Sequence, residues 1–444
     1  MSLRRAFFAT ATGLAVAATV CAQGVPDYEQ PPVSYSATPA NDAFAKLQQR
    51  LASGAVTFAG SEQQVLQAVL DAMGVPASSQ ILVFSKTSLQ RGRIRPDRPR
   101  ALYYSDTAYI GWVPGGLIEV VAVDPQLGPV FYAVDARSQP GGKPKIERDG
   151  DCLRCHGGSF VRDVPGVFIR SVFADDTGEP LLRHGTVVVD DETPFEQRWG
   201  GWYVTGYKGT APHRGNVLST ERDNQLQFTP SPQRPDELSG FFATSEYLRP
   251  TSDVVALLIA EHQMAMQNSL TRANFMARKM TAYQHGLQTT FKETVTDEPA
   301  YDSVKSVFAS AVQDVLDHLL FRKAAPLPAG VNGHADFRAA FARETPRTVS
   351  GHALKDLQLQ DRLFAQRCSY LIYSDTFRGL PETLKVRILD RLQAVLTSRD
   401  PKDRYAYLPA EEKQRIYDIL IETHPDVKRR WSAKRGSVVH APSE

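Results

Sequence analysis

The residues of this chain best suited to chemistry lie in one stretch, Cys152-Leu153-Arg154-Cys155-His156, followed by Gly157 and Gly158. Two thiols at C-x-x-C spacing with an imidazole immediately after them offer three chemistries. The thiols can add across the two vinyl groups of a haem, with the histidine under the iron as an axial ligand. They can form half of a zinc site, but tetrahedral zinc wants four ligands, usually from a second close pair. Apart from Cys21 in the leader, the only other cysteine is Cys368, alone and far away. They can form a redox pair or a plain disulfide. A thioredoxin-like pair needs a strand–turn–helix context that is missing here, and a disulfide between them would close too short a loop to stabilise much.

The stretch resembles the attachment motif of the c-type cytochromes. The resemblance covers Cys152 to Gly158 alone. It implies one covalent haem c, thioether bonds at Cys152 and Cys155, and His156 as the proximal iron ligand. The whole chain is similar to an exported monohaem c-type cytochrome family protein. It departs from small all-helical cytochrome c, where the motif lies near the N-terminus, because here strands precede and follow the motif. That layout is loosely similar to exported sensory domains of the haem-bearing PAS type.

A haem iron takes a sixth ligand or keeps an open position, and histidine and methionine are the usual protein choices. His262 is the favoured distal candidate, with Met264, Met266, His184, His213 or no protein ligand as alternatives. Met276 and Met280 share a helical face with His262 and Met266, although methionines commonly fill core gaps. Arg154, Arg162 and Arg183 are near enough in sequence to meet propionates. The segment Arg198-Trp199-Gly200-Gly201-Trp202-Tyr203 has the aromatics and glycines to wall a flat macrocycle or to form a buried bulged strand. The basic loop Arg91–Arg100 is either a source of cations or a solvated loop.

The elements that must position these residues follow from periodicity. Residues 1–22 read as a secretory signal cleaved after Ala22: Arg4-Arg5, an apolar run, then small residues. The Pro/Ser/Ala-rich stretch 23–40 reads as a solvated linker. Helices are expected over Asp42–Ala52 and from Ser61, where Gln64 completes a capping-box pattern. Short apolar runs at 81–84, 103–104, 109–112, 117–123 and 130–134 read as strands, and 167–173, 186–189 and 201–205 likewise. The motif is therefore an excursion between strands of a mixed α/β domain over 41–249. A helix starts after Pro250-Thr251-Ser252-Asp253 and runs to about Leu287. Further helices are expected at 303–320, 354–364, 384–396 and 411–422, giving an α-helical domain over 250–430 and a frayed tail over 431–444. Cys368 reads as a small buried hydrophobe. The fold class is α+β, a β-rich haem-bearing domain followed by a helical one.

Hydrophobic residues make up 42% and charged residues 23% of the 444-residue chain, as in a protein with a sizeable core. The formal net charge of +2 gives no sign of nucleic acid or of an anionic membrane as partner, and no transmembrane anchor is expected. No Walker, Rossmann, H-E-x-x-H or G-x-S-x-G pattern occurs. The expected function is periplasmic electron transfer through haem c, with a redox protein or a small-molecule donor or acceptor as partner. The alternatives are a redox enzyme with an open iron, or a haem-based sensor or ligand-binding module.

Overall fold

The computed structural model describes residues 25–135, 145–229 and 235–438. The export signal expected over 1–22 lies outside the described residues, as do 139–144 of the loop before the motif.

Two helices open the fold. The Asp42 side chain accepts from the amides of Phe44 and Ala45 at the start of α1 (Ala43–Ala52). Ser61 and Gln64 form a reciprocal capping box at the start of α2 (Glu62–Ala72). Each device satisfies amides that the first helical turn leaves without partners. An antiparallel meander follows: β1 (Ile81–Val83), β2 (Arg100–Tyr104), β3 (Ala108–Trp112), β4 (Ile118–Asp124), β5 (Gly128–Asp135) and β6 (Lys145–Arg148). The C-x-x-C-H stretch then forms α3 (Leu153–His156). β7 (Ile169–Val172) and β8 (Thr186–Val189) make a separate hairpin. β9 (Trp202–Tyr203) returns to pair antiparallel with β1, completing a seven-stranded sheet of order β6-β5-β4-β3-β2-β1-β9. β10 (Leu218–Arg222) and β11 (Gln225–Thr229) form a second hairpin.

Both faces of the sheet are covered, which is why its strands read as nearly continuous apolar runs. Leu82, Phe84, Tyr103, Ile110, Trp112, Val120 and Tyr132 pack under α1 and α2. The alternate residues Ile81, Val83, Tyr104, Tyr109, Val123, Phe131 and Trp202 belong to the other core, with α4 (Val254–Phe291). Asp253 caps α4, which is 38 residues and so about 57 Å long. Its first turns are buried all round, as expected of a helix that runs through a core rather than over it. Buried polar residues on α4 find sheet partners: Gln263 donates to the Ser105 carbonyl and the Tyr109 hydroxyl, and Tyr104 donates to the Ala256 carbonyl.

The remaining helices are α5 (Asp302–Leu319), α6 (Ala335–Arg343), α7 (Asp375–Arg378), α8 (Glu382–Thr397), α9 (Ala410–Thr423) and α10 (Pro425–Val438). The chain thus joins a β-rich N-terminal part to a helical C-terminal part, the α+β arrangement expected. One apolar core runs from Val83 on the sheet to Leu392 on α8, so it crosses the expected boundary at 249/250 without a break.

Three local expectations are corrected. The stretch expected as a solvated linker buries Tyr28, Val33 and Tyr35, and the Tyr35 hydroxyl donates to the Pro129 carbonyl. Residues 354–364 are not helical, because side chains there occupy the backbone donors a helix would use. Gln358 Oε1 accepts from the amides of Gln360, Asp361 and Arg362, and Asp356 from that of Ala353. The expected tail begins inside α10, where Trp431 is fully buried against Tyr417. No helix of the described residues is long and apolar enough to cross a membrane.

Candidate functional site

β6 ends at Arg148, and Asp149 caps the turn that follows by accepting from the Asp151 amide. One tight turn and α3 then carry the motif. Spacing of three places Cys152 and Cys155 as neighbours on one helical face. Both thiols are free; Cys152 is half-buried against the core and Cys155 is exposed. Burial and the nearby Asp149 carboxylate push the Cys152 thiol up to about 12. It is a neutral thiol at pH 7, unlike the thiolate that a redox pair or a zinc site uses.

His156 is fixed by a reciprocal pair of hydrogen bonds. The Gly166 amide donates to the His156 carbonyl at 2.9 Å, and His156 Nδ1 lies 2.9 Å from the Gly166 carbonyl oxygen. A carbonyl only accepts, so Nδ1 carries the proton and Nε2 keeps its lone pair. The ring stands between Phe131 and Phe168, with centroids 5.1 and 5.3 Å away. Burial holds its pKa below the ordinary histidine value, so the ring is neutral at pH 7. A neutral imidazole anchored through one nitrogen and bare at the other is how ligating histidines are oriented.

The anchor is itself held by α4. Asn268 accepts from the Val167 amide at 3.1 Å and donates to the Val167 carbonyl at 2.8 Å, clamping the chain beside Gly166. A Cβ on Gly166 would come within 2.5 Å of Asn268 Oδ1, so only glycine allows this approach. Arg162, on the same loop, reaches Asp314 of α5 at 2.8 Å. Gly157 lies directly under the Tyr28 hydroxyl, so the N-terminal segment also packs on the motif.

Cys152, Cys155 and His156 line one cavity of about 330 Å³, within the roughly 300–1,000 Å³ of small-ligand sites. Its walls include Val83, Leu102, Val121, Phe131, Phe168 and Trp202, from the sheet and the motif loop. Leu89 and Phe160, at 55% and 41% exposure, are large apolar side chains left open to solvent in this lining. The polar lining is Arg100, Glu119, Arg154 and Arg170 among others. Arg100 on β2 reaches across β3 to pair with Glu119 on β4. It can cross because Gly111, which faces both Leu102 and Glu119 in the ladder, has no side chain; a Cβ there would overlap the guanidinium. Arg100 Nε is buried without a hydrogen-bond partner among the described residues.

Of the arginines picked out in sequence, Arg154 and, from the basic loop, Arg100 line this cavity; Arg162 pairs with Asp314 and Arg183 with Glu221. Trp202 lines it too, whereas Trp199 turns away to donate to Glu261 at 2.5 Å. None of the distal candidates does. His262 is fully buried elsewhere, with Nδ1 2.8 Å from Asp191 and Nε2 2.7 Å from Ser369 Oγ. His184 contacts Glu221, and His213 stands among Phe195, Trp199 and Tyr207. Met264 and Met266 are in the core. Among the described residues lining the cavity, His156 is the one histidine and no methionine occurs. Glu119, Arg170 and the Asn268 clamp were missed in sequence because what brings them to the site is pairing across strands or, for Asn268, a contact 101 residues away.

The donor set discriminates between the chemistries open to the motif. Among the described residues no three His, Cys, Asp or Glu side chains converge as a metal-holding group, which counts against zinc. Haem asks only one protein nitrogen for its iron and two thiols for its edge. The lone pair of His156, the paired thiols, the apolar walls with their uncovered rim and the nearby arginines for propionates all fit it. Comparison with family models, with curated proteins and with solved structures found no match to this chain.

Proposed function

We propose that the chain is an exported monohaem c-type cytochrome protein with haem bound through Cys152 and Cys155 and ligated by His156. The observation that carries this reading is the fixed tautomer of His156, with its lone pair on the ring edge away from Gly166, beside two free thiols in one cavity. Bound there, haem would supply one-electron redox chemistry and a site for small ligands at iron. The chain's own part is to hold the imidazole rigid, to cover the macrocycle with apolar side chains and to offer Arg154 and Arg170 as counter-charges.

Electron transfer is the general role of such a group. The lining favours a more particular one. His262 and the methionines are committed elsewhere, and among the described residues the cavity offers no second histidine and no methionine, its polar lining including the Arg100–Glu119 pair. This supports an iron open to a small molecule, hence a redox enzyme or ligand-binding protein rather than a simple carrier.

The test is an optical spectrum of the protein made with a haem-attachment system, ferric and reduced, with a pyridine haemochrome. Covalent haem with a high-spin ferric spectrum and ready cyanide binding is expected. A low-spin spectrum in both states returns the reading to electron transfer, and absence of covalent haem overturns it.

A further inference from the structure

A second cavity, of about 360 Å³, opens between the segment after α5 and the loop carrying Arg362 and Arg367. Behind its wall lies a chain of buried polar groups: Asp191 Oδ2 to His262 Nδ1 at 2.8 Å, then His262 Nε2 to Ser369 Oγ at 2.7 Å. These are the distances of a hydrolytic triad, but the order of access is reversed. Ser369 is fully buried, its Oγ also accepts from the Leu371 amide, and it does not line the cavity. A nucleophile must meet its substrate, so this serine is closed to attack. The member that lines the cavity is Asp191.

Asp191 is held ionised: burial would raise its pKa, but the charge and hydrogen bond of His262, with the charges of His318 and Arg198, together bring it below the usual carboxylate range. Among the described residues, no hydrogen bond reaches its other oxygen, Oδ1. Arg362 and Arg367 line the same cavity and share a single carboxylate, Glu412, at 3.4 and 2.6 Å. Among the described residues, the buried Arg362 Nε finds no hydrogen-bond partner. The exposed Lys323 and Asp361, and the buried Arg198, which is paired with Glu261, are the other charged side chains of the lining. The wall between them is strained: Phe321 and Lys323 adopt φ of 55° and 62°, a region non-glycine residues rarely enter, and Phe321 stacks on His262 with centroids 4.2 Å apart. Strain of this kind persists where the surroundings enforce it, commonly at ligand sites.

The cavity is thus bipolar, with an ionised carboxylate that has an unused oxygen and a guanidinium pair one of whose donors, Arg362 Nε, is without a hydrogen bond among the described residues. Phe321, Phe364 and Tyr407 add aromatic surface. We infer that it binds a small zwitterionic amino-carboxylate, its ammonium on Asp191 and its carboxylate on Arg362 and Arg367. The site is separate from the motif cavity and does not depend on haem.

The test is a thermal-shift screen of the full-length protein against each of the standard L-amino acids, followed by calorimetric titration of the best binder. At least one amino acid is expected to raise Tm. Its decarboxylated amine and its deaminated acid should each bind roughly tenfold or more weakly, since each lacks one charge-assisted contact. Arg362→Gln should weaken binding by a similar factor. Ala324→Leu, which fills the cavity without removing a charge, should do so too, and a variant is scored only if its ligand-free Tm matches the parent. The inference is overturned if no amino acid shifts Tm, if the amine or the acid binds as well as the zwitterion, or if binding survives in both variants.

Discussion

His156 and Gly166 are joined twice, carbonyl to amide and ring Nδ1 to carbonyl, so the imidazole cannot turn without breaking the loop that follows it. Asn268 on α4 secures that loop through Val167. Replacing Asn268 by Leu leaves two buried backbone groups unpaired, at about 1–3 kcal/mol each. The expected outcome is a lower denaturation midpoint together with a broadened haem spectrum; an unchanged spectrum would show that α4 does not orient the ligand.

Gly166→Ala attacks the same relationship from the other side. The new methyl group meets Asn268 Oδ1 and Val161 Cβ at 2.5 and 2.9 Å. Overpacking of this kind costs roughly 1–3 kcal/mol. Chemical denaturation should show the loss as a lower midpoint, and an unchanged midpoint would mean that Asn268 gives way freely.

Gly111→Ala separates function from stability. Its Cβ meets the flexible end of Arg100, which can swing aside at small cost, but the contact with Glu119 is then lost. The expected result is a Tm close to the parent's and an altered affinity for azide measured by optical titration. Equal azide affinity would remove Arg100 and Glu119 from the ligand site.

His262→Phe tests the distal candidate directly. Because both ring nitrogens are engaged by Asp191 and Ser369, the haem spectrum should not change. Stability should fall by roughly 2–4 kcal/mol, below the figure for a wholly buried pair because Asp191 keeps some exposure. A shift from low to high spin in this variant would instead restore His262 as an iron ligand.

Acid should loosen the motif loop through Asp314. Burial would raise its pKa, but hydrogen bonds and charge from Arg162, a hydrogen bond from Ser269 and the charge of His318 bring it below the usual value. A depressed carboxylate adds stability that is present above its unfolded pKa, near 4, and is lost as pH falls through the folded value. Hydrogen exchange at residues 159–167 should accelerate in that acid window, and Asp314→Asn should show the faster exchange already at neutral pH.

Much of this was legible in the sequence wherever the cause is local. The capping box at Ser61 and Gln64, the cap at Asp253 and the alternation along the meander are written in neighbouring residues. The motif reads the same way, because its thiols and imidazole lie within one turn. What could not be read depends on distant partners. Residues 354–364 have helical apolar spacing, but Gln358 and Asp356 cap the local backbone instead. Residues 23–40 look like a linker by composition, yet Arg148 donates to the carbonyls of Tyr35 and Thr38 and ties them to the end of β6. His262 has the character of an iron ligand on its own helix; Asp191 and Ser369, 71 and 107 residues away, decide otherwise.

The strand order carries a consequence for how the molecule is made. The motif leaves the ribosome ahead of β9, which must fold back onto β1, and ahead of the Asn268 clamp, 101 residues beyond Val167. Non-local pairings of this span form late, since loop-closure entropy is met before the contacts reward it. Under the proposed function, haem would therefore be attached to an open chain with both thiols exposed, and Trp202 would take its place in the cavity wall afterwards. In that reading the prosthetic group would be installed before the walls that retain it.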